Sequence, residues 1–214
     1  VNTPLISEIA KTKKPIIISS GMSDISEINS AIKTILSMDN NQIILLHCVS
    51  SYPCPPESAN LPMIIKLRDT FNTITGYSDH TTGIDVAVAS ILKGAKVIEK
   101  HFTLDKNMDG PDHNFSITNF DLKNLVLSAR RIEKANIDHG FGMLPSEIST
   151  AQNLKRSLFY RKNLKKGSII KYDFLEIKSP GIGLHPKFIN LIIGKKLTKN
   201  IFSDNPVTLE DFSD

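Results

Sequence analysis

The chain has 214 residues, 40% of them hydrophobic and 22% charged, which is the composition of a globular protein with material for one large domain or two modest ones. Its net charge of +4 comes from Lys and Arg mixed with acids along the chain. That balance suits a phosphorylated or carboxylated small molecule, and the lack of a basic stripe or RNA-binding motif argues against nucleic acid.

No apolar run approaches ~18 residues, so no membrane partner is expected. Cys48 and Cys54 are the two cysteines, too few for a disulfide framework or a zinc quartet. They read as free thiols in a reducing, cytoplasmic compartment. No signal peptide is expected. It begins with Val1 and reaches a strand pattern almost at once, so a natural beginning is expected to be missing.

From residue 15 two kinds of segment alternate. PIIIS (15–19) is a short β-branched run, and DISEINSAIKTILSM (24–38) follows with apolar residues at helical spacing, opened by the capping box Asp24–Glu27. QIILLHC (42–48) is the next strand and ANLPMIIKLRDTF (59–71) a shorter helix. TITGYS (73–78) and GIDVAVASILKGA (83–95) form the third pair, closed by Gly94. KVIEKHF (96–102) and TNFDLKNLVLSARRIEKA (118–135) form the fourth; Phe120, Leu122, Leu125, Val126 and Ile132 mark the apolar side of that helix.

Four strand–helix units predict an α/β fold of parallel strands covered by helices, either a doubly wound sheet or part of a (β/α)8 barrel. The GxGxxG fingerprint is absent. Polar residues follow every strand end, and in a barrel those ends converge on one mouth. After about residue 140 the grammar changes. GMLPSE (142–147) reads as linker, and residues 156–186 and 194–212 carry short strands and turns with no long helix, a small β-rich second domain.

Two histidines, His80 and His101, lie 21 residues apart at the ends of neighbouring strands, in GYSDHTTG (76–83) and KVIEKHF (96–102). Paired imidazoles suit Mn, Fe, Co or Zn; the alternative is two buried rings bonded to backbone. Glu99 shares a strand face with His101. Water and substrate oxygen would complete such a site, as a Lewis acid requires. Ser19, Ser20 and Gly21 precede a helix start and suit a phosphate, with a plain N-terminal turn as the alternative. Asp112 follows a Gly-Pro turn and could hold sugar hydroxyls or orient a ligand, or be an ordinary turn residue. Tyr52 and Pro53 could wall the mouth. His47 reads as structural, His113 as a neighbour of the site, and His139 and His185 as surface residues.

KPIIISSGM (14–22), LLHCVSSYPCP (45–55), GYSDHT (76–81), VIEKHFTLD (97–105) and GPDHNFS (110–116) together resemble the sialic acid synthase family, the N-acetylneuraminate, legionaminate and pseudaminate synthases. The second domain resembles the antifreeze-protein-like (SAF) domain of these enzymes. The resemblance implies the last four units of a (β/α)8 TIM barrel over 1–140, a linker over 141–155, and the SAF domain over 156–214. It implies a domain-swapped homodimer. The barrel's first half, with a glutamate near the sugar and lysines for phosphoenolpyruvate, is expected to be absent, and the chain alone to be inactive.

By the same resemblance the parent enzyme is a transferase condensing phosphoenolpyruvate with N-acetylmannosamine or a related 2-acylamino hexose. The products are a nine-carbon keto sugar acid and phosphate. The cofactor implied is a divalent metal, Mn2+ foremost, with Mg2+ or Co2+ as substitutes, held by His80 and His101. Ser19 is implied at the phosphate, Glu99 and Asp112 near sugar and metal, and Ser50 and Tyr52 along the site. Ser50 stands where some members carry asparagine. Ser179 replaces an arginine that reaches the sugar's acyl group, so the acyl substituent stays open. Two alternatives remain: a metal-dependent pyruvate aldolase or lyase, and a non-catalytic sugar-binding or dimerisation fragment.

Overall fold

The computed structural model describes residues 1–213 and divides the chain into two compact units, Val1–Ile137 and Asp138–Asp214. The first is α/β. Helix α1 (Thr3–Lys11) is followed by β1 (Ile16–Ser19), α2 (Ile25–Leu36), β2 (Ile43–Cys48), α3 (Pro62–Phe71), β3 (Ile74–Asp79), α4 (Asp85–Leu92), β4 (Ile98–Lys100) and α5 (Asn119–Ala135). The strands form one parallel sheet in the order β1-β2-β3-β4, curled as half a barrel.

Alternation along each strand decides what is buried. One face carries Ile16, Ile43 and Leu45 against Ala10 of α1, Ile28, Ile32 and Ile35 of α2, and Leu67 of α3. Tyr77 continues that face against Ile64 and Ala95, and Ile98 packs with Ala87, Ile117 and Leu125. The opposite, inner face therefore carries Ser19, Leu46, Cys48, Gly76, Ser78 and Glu99. At Gly76 a Cβ would run into the Val97 carbonyl and the Leu46 side chain, so only glycine lets β4 and Leu46 close on β3.

The capping box of α2 forms as the sequence predicts: Asp24 accepts from the Glu27 amide and Glu27 from the Asp24 amide. Thr118 and Asp121 cap α5 in the same way. Of the apolar side read on that helix, Leu125 is buried while Phe120 and Val126 are exposed. Residues 3–11, read without a helix, form α1, capped by Asn2 with Pro4 in its first turn.

In the second unit, α6 (Ile148–Leu154) occupies part of the segment read as linker. Strands β5 (Ser157–Tyr160) and β6 (Leu175–Lys178) pair antiparallel, and isolated bridges at Leu164–Ile201, Ile169–Lys196 and Leu197–Phe212 extend the β-rich fold. Helix α7 (Ile189–Ile192) closes one side. Leu158, Tyr160, Ile170, Leu175, Ile192, Leu197 and Val207 fill the core. Tyr160 donates to Asp211 at 3.0 Å, and Asp211 also receives Lys199 at 2.8 Å and the Thr208 amide at 2.8 Å.

Candidate active site

The ends of β3 and β4 position the two histidines. Tyr77 pairs with Ile98, Ser78 with Glu99 and Asp79 with Lys100, so His80 and His101 are the next residues beyond the last rung. Their ring centroids are 5.2 Å apart at 69° between planes. His80 is buried, and the His101 side chain is 31% exposed.

The His80 ring has one nitrogen occupied, and the His101 ring faces a carboxylate. Nδ1 of His80 lies 2.8 Å from the Val49 carbonyl oxygen, which can only accept, so that nitrogen carries the proton. Nδ1 of His101 faces Asp112 Oδ2 at 3.4 Å, a charge contact without hydrogen-bond geometry. The His80 bond leaves Nε2 as its lone-pair nitrogen, the way a neighbouring oxygen orients a metal-binding imidazole. Asp112 stands behind His101.

For a divalent cation the donor set is these two imidazoles. Among the described residues no group of three or more His, Cys, Asp or Glu side chains is arranged to hold a metal. The pair fits a cation that keeps most of its coordination sphere for water and substrate; it does not fit a closed four-ligand structural site.

Around the pair the walls are aromatic. Tyr52 lies over His80 at 4.2 Å and beside His101 at 5.8 Å between centroids. Phe115 lies 5.2 Å from His101 and is buried. Sequence reasoning did not single out Phe115; the aromatic inside GPDHNF was the available signal. Glu99 accepts from Ser78 Oγ at 2.7 Å on the inner face.

Ser50 sits against Gly21, where a Cβ would collide with its hydroxyl, so the loops after β1 and β2 touch. Ser19 stands two strands from β3, in register with Leu46, beside a cavity of about 170 Å3 shared with Ser23, Glu27 and Ile28. The Ser20 amide is spent on the Leu46 carbonyl at 2.9 Å, and the start of α2 is closed by its own Asp24. The helix end therefore offers no free amide from Ser20 or the Asp24 cap, and Ser19 contributes its side chain to the inner face.

His47, His113 and the two thiols are engaged within the fold, while His139 and His185 are exposed. His47 Nε2 meets the Ala59 carbonyl at 2.8 Å, and burial pushes its imidazole down. His113 Nδ1 bonds Thr103 at 2.8 Å. Cys48 and Cys54 are free and buried, and burial pushes both thiols up, away from the reactive thiolate. No helix among the described residues is long and apolar enough to cross a membrane.

Comparison with known proteins gives matches over both units. An uncharacterised protein of Methanocaldococcus jannaschii is 43% identical over 208 residues, covering 97% of this chain and 62% of the relative. The N,N'-diacetyllegionaminic acid synthase of Campylobacter jejuni is 40% identical over 205 residues, 95% of this chain and 61% of that enzyme. The crystal structure of N-acetylneuraminic acid (sialic acid) synthetase from Leptospira borgpetersenii superposes with a TM-score of 0.64 at 34% identity, over 70% of this chain and 52% of that one. The chain thus spans about three fifths of the length of its curated relatives. The SAF domain model matches residues 155–213. The NeuB family model matches residues 1–140, the unit that carries both histidines, and the chain belongs to the NeuB family.

Proposed function

We propose that this chain supplies the cation-holding part of a synthase that condenses phosphoenolpyruvate with open-chain N-acetylmannosamine or a related 2-acylamino hexose. The products are a nine-carbon sialic-acid-type keto sugar acid and phosphate. The observation that carries the reading is the pair of imidazoles beyond the last β3–β4 rung, each with Nδ1 turned to an oxygen and Nε2 left free. The names of the relatives, a legionaminic acid synthase and a sialic acid synthetase, supply the substrate class.

His80 and His101 would hold the divalent cation, Mn2+ in our reading, which supplies Lewis-acid polarisation of the sugar's aldehyde oxygen. The methylene carbon of phosphoenolpyruvate forms the new C–C bond to the aldehyde carbon. Water then adds to the oxocarbenium carbon, and phosphate leaves with the C–O bond. Glu99, held by Ser78, accepts from sugar hydroxyls. Asp112 keeps the His101 ring in place. Tyr52 and Phe115 wall the histidine pair and limit water. Ser19 and Ser50 offer hydroxyls to the phosphate and carboxylate. Two copies pair in this reading as a domain-swapped homodimer, which light scattering tests directly: a monomer mass counts against it.

A Schiff-base aldolase would need an amine on the inner face. The Lys100 amine is bound instead to Asp79 and the Thr81 carbonyl on the helix-facing side. The deciding assay is phosphate release by the protein carrying this chain, given phosphoenolpyruvate, N-acetylmannosamine and Mn2+. Release dependent on all three supports the synthase. Turnover of pyruvate with none of phosphoenolpyruvate would replace it with the aldolase.

A further inference from the structure

Directly behind the two histidines lies an ion pair that the chemistry above does not use. Lys100 Nζ donates to Asp79 Oδ2 at 2.7 Å and to the Thr81 carbonyl at 2.6 Å. The other Asp79 oxygen accepts the Thr81 amide at 2.8 Å. The side chains of Lys100 and Asp79 are 4% and 0% exposed. Resting on the reading that His80 and His101 share a cation, we propose that Lys100 and Asp79 are positioning residues that set the separation of the two imidazoles.

The backbone does not do this by itself. The parallel ladder ends at Asp79–Lys100. Beyond that rung the two chains part: the His80 carbonyl accepts from Cys54 at 2.9 Å and the His101 carbonyl from Ile117 at 2.9 Å. Lys100, the residue before His101, grips Asp79 and Thr81, the residues on both sides of His80. Two directed bonds thus tie one histidine's turn to the strand bearing the other, and the Thr81–Asp79 bond closes that turn on itself. Apolar side chains would fill the same space without fixing that turn. A buried ion pair adds little stability over such a replacement, so its distinctive contribution is geometric.

The test compares K100M, K100R and the double variant D79N/K100M with the unaltered chain and with H80A. The double variant leaves no unpaired buried charge and is expected to fold. Two quantities are read: Mn2+ affinity by electron paramagnetic resonance, and the imidazole nitrogen shifts of His80 and His101 without metal by long-range 15N–1H correlation. We expect folded D79N/K100M to bind Mn2+ ~10–100-fold more weakly with altered ring shifts, K100M to do the same, and K100R to recover part of the loss.

Unchanged affinity and shifts in a folded D79N/K100M, with H80A abolishing binding, would overturn the positioning role and leave the shared cation standing. Undiminished binding by H80A would instead sink the cation reading on which the proposal rests. Loss of fold in all three pair variants would assign the pair to folding and overturn the proposal.

Discussion

Ser78 Oγ donates to Glu99 Oε1 at 2.7 Å, across the second rung before the two histidines. Glu99 is exposed on the inner face, and that bond selects one orientation of its carboxylate. Hydrogen bonds to charged groups contribute about 1.5–3 kcal/mol, and exposure to water favours the lower end. The variant S78A should therefore lower kcat/KM for the sugar about tenfold, with KM for phosphoenolpyruvate unchanged. Equal losses for both substrates would place Glu99 away from the sugar.

His80→Ala and His101→Ala remove the two free Nε2 donors. Each should reduce metal-dependent turnover of the protein carrying this chain by several orders of magnitude, since a Lewis acid contributes several kcal/mol to the transition state. Each should also abolish Mn2+ binding by the chain in calorimetry. Either variant keeping wild-type turnover would remove that residue from the set of ligands.

The parts legible in the sequence are those set by periodicity. The four strands, their helices and the Asp24 cap follow from apolar spacing and local chemistry, and the matched strand-end histidines follow from the repeat. Helix α1 was legible too, in Asn2, Pro4 and the apolar Leu5, Ile6, Ile9 and Ala10, but its nine residues lie ahead of the first clear strand–helix repeat. Helix α6, ISTAQNL, has no buried residue and so no apolar period to read. Alternation places Lys100 opposite Glu99. That its partner is Asp79 depends on strand register, which no local pattern encodes.

His47 gives the first unit a pH dependence of known sign. Burial pushes its imidazole down, opposed by the Ala59 carbonyl. The folded state therefore favours the neutral ring. Its stabilisation is present above the unfolded histidine value of about 6.5 and is lost as pH falls through the lower folded value. Urea unfolding of this unit, followed by the emission of Tyr77 that stacks on His47 at 5.7 Å, should show lower stability at pH 5 than at pH 7.5. H47Q should flatten that difference; an unchanged slope in H47Q would assign it to other groups.

Asp211 couples the stability of the second unit to pH. Burial pushes its carboxyl up, but the bonds from Lys199, Thr208 and Tyr160 together outweigh burial and hold it below its ordinary value. A depressed folded value means stability that is complete above the unfolded aspartate value of about 3.9 and fades as pH drops through the folded one. The Lys199 side chain is 53% exposed, so its share is small. The buried Tyr160 hydroxyl dominates, because without Asp211 it keeps no partner in the core. D211A should cost about 2–3 kcal/mol at pH 7 and remove the added loss that sets in as pH falls below about 4. Y160F should cost about 1 kcal/mol, since it deletes the donor without stranding a buried one. If D211A and Y160F cost the same, the stranded Tyr160 hydroxyl adds no penalty and the Thr208 and Lys199 contacts contribute nothing.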